Sequence, residues 1–169
     1  MASNTRPERR IMISEPRSRL AVPFVLLDDN APFACEVIWR LAAEARSWDA
    51  LHAMWTGPEI SCPIPQEDLP GDLNLTAWPS ENETSHPGAG ELVLTQILAG
   101  PSSPTTPFPN GGLDVGLFYG EGGRLLFPGG WLKGTVCARV DPAYGRAFAH
   151  AAGMIRQNGA CRLSIEQVR

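Results

Sequence analysis

The chain has no apolar run long enough to cross a bilayer, and none after its first arginines that would serve as a secretory leader. It has no basic excess either: 14 Lys and Arg stand against 18 Asp and Glu, a net charge of −4. Nucleic-acid binding draws most of its affinity from clustered Lys and Arg, so this balance argues against such a partner. The arginines at 6, 9, 10, 17 and 19 read as a solvated N-terminal tail. Cys35, Cys62, Cys137 and Cys161 form no Cys-x-x-Cys pair, which argues against a zinc or redox centre and leaves buried free thiols. There is no serine nucleophile elbow, no Asp-x-Asp and no His-x-x-x-His, which weakens hydrolase and metalloenzyme readings. Gly120-Glu-Gly-Gly123 and Gly129-Gly130 lack the Lys and Ser/Thr at a helix start that a nucleotide loop needs, so they read as turns. These absences lead us to expect a cytoplasmic protein that uses no membrane, nucleic acid, metal or cofactor.

What is present is a succession of short β-favouring runs separated by Gly and Pro turns. A chain of 169 residues suits a flexible tail over 1–10 and a single domain over 11–169. Arg10 to Glu15 and Leu20 to Leu27 read as an opening hairpin. Asp28-Asp-Asn30 offers N-cap side chains and Pro32 suits a first helical turn, so a helix is predicted from Ala31 to Ala45. Strands are predicted at Leu51–Trp55, Glu59–Ile64, Gly90–Ile97, Leu113–Tyr119, Thr135–Val140 and Cys161–Val168. A second helix is predicted over Pro142–Gln157, stopped by Asn158-Gly159. The stretch from Pro63 to Pro79 reads as an ordered excursion outside the core, and the proline-rich Ala99–Gly112 as a loop that covers a pocket or lies passively on the surface. Many short strands with two helices suggest a closed β-barrel with a helix on each open end, because closure removes exposed strand edges.

Four segments carry a family resemblance. They are Leu26-Leu-Asp-Asp-x-Ala-Pro-x-x-Cys-Glu-x-x-Trp39, His52-Ala-x-Trp55-x-Gly57, Glu81-Asn-x-Thr84-x-x-Pro87-x-x-Gly90-Glu-Leu92, and the ending Met154-Ile-Arg-Gln-Asn-Gly-Ala-Cys-Arg-Leu-Ser-Ile165. In this order they resemble the cyclophilin-like proteins of domain-of-unknown-function family 3830, over about Ile11 to Val168. The resemblance implies a mainly β, cyclophilin-like closed barrel with two capping helices; it carries no settled activity. Prolyl isomerisation, the activity of cyclophilins proper, depends on an arginine beside an apolar proline pocket, and no Phe-His-Arg-type strand is present.

The polar residues able to do chemistry concentrate in the central segments. His52, with Glu59 or Glu81 setting its tautomer, is the leading proton-transfer candidate, because imidazole titrates near neutrality and a carboxylate can orient it. His86 and Tyr119 complete the catalytic candidates. Arg124 or Lys133 could anchor an anionic oxygen, and Trp55, Asn82, Thr84, Phe108 and Trp131 join them as substrate-binding candidates. The reading is a cofactor-independent small-molecule enzyme acting by proton transfer in a barrel pocket: an isomerase, cyclase or ring-opening enzyme. The alternatives are a non-catalytic ligand-binding or assembly module with an apolar cavity and, with least support, a prolyl isomerase. Apolar residues around Phe108, Leu113 and Trp131 point to a homodimer.

Overall fold

The computed structural model describes residues 8–99 and 109–168. Chain order is β1 (Arg10–Glu15), β2 (Leu20–Leu26), α1 (Pro32–Ala43), β3 (Arg46–His52), β4 (Glu59–Pro65), β5 (Glu83–Thr84), β6 (Glu91–Ile97), β7 (Gly112–Phe118), β8 (Leu126–Phe127), β9 (Gly130–Trp131), β10 (Gly134–Val140), α2 (Gly145–Asn158) and β11 (Cys161–Gln167). Strands run in the order β2, β1, β11, β3, β4, β7, β6, β10, and β10 pairs back with β2. The result is a closed, eight-stranded antiparallel barrel, so the wall has no free edge.

Period-two alternation decides which residues face inward. Ile11 and Ile13 of β1, Trp48 and Ala50 of β3, Ile60, Cys62 and Ile64 of β4, and Leu113, Val115 and Leu117 of β7 join one buried core. Among the described residues the barrel interior is filled by side chains, since an eight-stranded barrel is just wide enough to be packed. Leu113 is 0 % exposed and belongs to this core, which removes it from the surface patch taken to favour dimerisation.

β2 leads into α1 and α2 leads into β11. In an antiparallel barrel these connections lie at opposite ends, so each helix closes one mouth; Phe148 of α2 meets Phe24 of β2 edge-on at 5.3 Å. The predicted N-cap of α1 is replaced. None of Asp28, Asp29 or Asn30 caps it; the carboxylate of Glu81 accepts from the backbone amides of Ala34 (2.7 Å) and Phe33 (3.3 Å). A carboxylate from outside the helix thus satisfies its unpaired amides and opposes its positive end. At α2, Gly159 adopts φ 84° and its amide reaches back to Ile155, the C-terminal stop expected from Asn158-Gly159.

Other expectations change with the structure. β3 starts at Arg46 and ends at His52, so residues 53–58 are a turn and Trp55 is not in a strand. The excursion after Pro65 does reach the core, through Leu69 and Leu75. The Gly-rich stretch holds a small hairpin, β8 with β9. Arg9 and Arg10 are not solvated tail: Arg9 pairs with Asp28 and Glu36, and Arg10 with Glu8 and Asp141.

Candidate functional site

His52 continues the inward row of Trp48 and Ala50 to the mouth of the barrel closed by α2, and Tyr119 continues the row of Val115 and Leu117. The Tyr119 amide donates to Pro58 O at 3.0 Å, which extends the β4–β7 ladder one step beyond Phe118 and brings the two rings together. His52 Nδ1 lies 2.8 Å from Ala53 O. A carbonyl can only accept, so this contact assigns the proton to Nδ1 and leaves the Nε2 lone pair free. Tyr119 Oη then donates to Nε2, also at 2.8 Å. Both groups are half-buried. Burial lowers the pKa of His52 and keeps the ring neutral, while burial raises that of Tyr119. Arg156 of α2 is the cation whose field reaches both, lowering each.

Glu59 faces the other way. It is 2 % exposed, yet it lies on the outer row of β4 with Ser61, opposite the inward Ile60 and Cys62. Its carboxyl accepts from Thr56 Oγ1 and rests over Gly116 of β7, where any Cβ would collide with Glu59 Oε1. Two turns cover it: Arg124 N donates to Thr56 O at 3.0 Å, and Gly57 faces the Gly122 carbonyl. Farther along the outer face, Ser61 Oγ donates to Asp114 Oδ1 at 2.7 Å. Burial, followed by the negative field of Asp114, raises the Glu59 pKa, with the Thr56 bond opposing. Burial also raises Asp114, opposed by its bonds from Ser61 and the Cys62 amide. Among the described residues no cation pairs with either carboxyl.

The expected contact of His52 with Glu59 or Glu81 is therefore not formed. Glu59 is separated from it by strand alternation, and Glu81 caps α1 at the opposite mouth. His86 stacks on Trp131, ring centroids 5.0 Å apart and tilted 37°, and its amide donates to Thr84 Oγ1. Asn82, at φ 41°, donates from Nδ2 to Val136 O (2.7 Å), a structural tie of the segment before β5 to β10. Lys133 reaches Glu83 at 3.3 Å. Trp55 and Trp131 are 41 % and 54 % exposed. Phe108, and the lid role considered for the loop holding it, lie outside the described residues.

Sequence reasoning missed Thr56, Ser61, Asp114, Gly116 and Arg156. For Asp114 a signal was available: an acid inside an apolar strand, out of phase with Leu113 and Val115. Among the described residues no cluster of three or more His, Cys, Asp or Glu could hold a metal, and no helix is long and apolar enough to cross a membrane. Surface clefts of about 190 and 390 Å³ lie beside Asp72, Leu73 and Asn74, away from His52 and Glu59.

A closed barrel of this topology, with a helix on each mouth, is a cyclophilin-like fold. The chain belongs to the family described as protein of unknown function (DUF3830), whose model matches residues 14–167. Two solved structures are similar to it in fold. McbB in complex with tryptophan matches at a TM-score of 0.59 and 13 % identity, over 92 % of this chain and 44 % of that one, so the chain spans less than half of McbB. A mimivirus cyclophilin matches at a TM-score of 0.51 and 13 % identity, over 97 % of this chain and 89 % of the other. No curated protein matches by sequence.

Proposed function

We propose that this protein is a cofactor-independent enzyme that moves a proton on a small organic molecule at the His52–Tyr119 pair, in an isomerisation, cyclisation or ring-opening reaction. One observation carries the reading: Nδ1 is anchored on Ala53 O, so Nε2 is free to receive the Tyr119 proton along a 2.8 Å hydrogen bond. In the forward step Tyr119 Oη takes a proton from the substrate as its own passes to Nε2. The imidazolium so formed keeps its Nδ1–H on the carbonyl, and the proton returns by the same path to a second position on the substrate. Arg156 favours negative charge developing nearby. The small-molecule reading also draws on McbB, a barrel of similar fold solved with tryptophan bound.

To test the proposal, carbonyl and amino acids are incubated with the protein in deuterated water and carbon-bound proton exchange is followed by NMR. Exchange that needs the wild-type chain and disappears in both Tyr119→Phe and His52→Ala supports it. Exchange undiminished in both folded variants overturns it.

A further inference from the structure

The two faces of the barrel wall meet at the turn over residues 53–58. Its Ala53 carbonyl holds His52 Nδ1 on the inner side, and its Thr56 hydroxyl holds the Glu59 carboxyl on the outer side. The backbone ties the same pieces together: Ala53 N donates to Glu59 O and Glu59 N to Gly57 O, each at 2.9 Å. Glu59 therefore holds Ala53, whose carbonyl fixes the imidazole, through its backbone, and holds the following turn through its carboxyl, without touching the ring.

We propose that Glu59 is a positioning residue for His52: as a neutral carboxylic acid it latches the 53–58 turn through Thr56, and on ionisation it leaves the wall and releases the Ala53 carbonyl that sets the His52 tautomer. This rests on reading His52–Tyr119 as the reacting pair. The geometry gives ionisation a direction. A carboxylate over Gly116 has a backbone floor, a lid of two turns and Asp114 on the same face, and burial with that like charge outweighs a single hydroxyl donor. The charged group whose field acts on Glu59 is Asp114 from β7; the covering turn also carries Glu121 and Arg124 in sequence, and the carboxylate of Glu91 on β6 is engaged with Arg139 and the Gly88 amide. On the inner side the titratable and charged groups are Tyr119, which follows β7, and Arg156 from α2.

The test reads the tautomer directly, from the His52 ring-nitrogen chemical shifts of the full ¹⁵N-labelled chain between about pH 5 and pH 10. In the wild type we expect two transitions: imidazolium to Nδ1–H as the ring deprotonates, then loss of the fixed Nδ1–H form as Glu59 ionises. Glu59→Gln keeps a hydrogen-bonding amide that cannot ionise, so it should show the first transition and not the second. Thr56→Val cuts the latch and should show mixed tautomers throughout the neutral range. A second transition surviving in Glu59→Gln, or an undisturbed Nδ1–H form in Thr56→Val, would overturn the proposal. Failure of the reacting pair is distinguishable, because it appears as full turnover in Tyr119→Phe while the tautomer still follows Glu59.

Discussion

The inner and outer faces of the wall formed by β3, β4 and β7 carry proton-bearing pairs in opposite physical states. Inside, His52 and Tyr119 are neutral, satisfied and open to solvent on one side; each ring nitrogen and the phenol oxygen has a partner at 2.8 Å. Outside, Glu59 and Asp114 lie on one wall with raised pKa values and, among the described residues, no cation in an ion pair with either. On the proposed reading, the difference separates the groups that react from those that shape the wall. A satisfied, half-exposed pair can exchange a proton with a visiting molecule, whereas a buried acid is shielded from one.

The sharpest way to break this contrast is to remove the inner pair. His52→Ala or Tyr119→Phe should slow turnover by about a hundredfold or more, the usual loss of a positioned acid or base. Thermal unfolding should change little for Tyr119→Phe, which loses one part-exposed hydroxyl. A variant of either kind that keeps full turnover would make the inner pair as structural as the outer one.

On the outer face the expected losses are in stability. Gly116→Ala puts a methyl against Glu59 Oε1 and close to the Phe118 ring, an overpacking that should cost about 1–3 kcal/mol in denaturant unfolding. Glu59→Ala in the same background should recover much of that loss, since it removes the colliding atom. Additive rather than compensating effects would mean that Glu59 does not lie over Gly116 in solution.

The pH dependence of stability separates the faces further. The Glu59 pKa is raised in the folded state, so the folded chain binds more protons than the unfolded one between its ordinary value of 4.5 and its raised one. The stabilisation is complete below the ordinary value and is lost as pH rises through the raised value. Glu59→Gln should flatten that decline and exceed the wild type by about 1–3 kcal/mol at alkaline pH. A decline of equal size in Glu59→Gln would place the titrating group elsewhere.

The barrel was legible because each strand states its inward face by alternation: Ile11 and Ile13, Ile60, Cys62 and Ile64, Leu113, Val115 and Leu117 each lie two residues apart. Sequence also singled out His52, Tyr119 and Glu59. What it could not supply was their pairing, because one residue of register decides whether Glu59 faces His52 or the opposite side of the wall. The N-cap of α1 failed for a related reason. Asp28 is spent on Arg9, and the acceptor that replaces it arrives from Glu81, 47 residues beyond Ala34, a distance no local pattern encodes.

That substituted cap gives the smallest of the expected effects and a control for the others. Glu81 stood beside Glu59 as a candidate partner for His52, yet its carboxylate closes the first turn of α1 at the far mouth of the barrel. Replacing a capping acceptor by alanine typically costs about 0.5–2 kcal/mol, since it leaves helix amides unpaired and removes negative charge from the positive end of the helix. Glu81→Ala should therefore lower the unfolding midpoint modestly while leaving the His52 ring-nitrogen shifts and turnover at wild-type values. Glu81→Gln, which keeps a carbonyl acceptor without the charge, should fall between the two in stability. A change in the His52 tautomer in either variant would show that the two mouths of the barrel are coupled, and would return Glu81 to the reacting site.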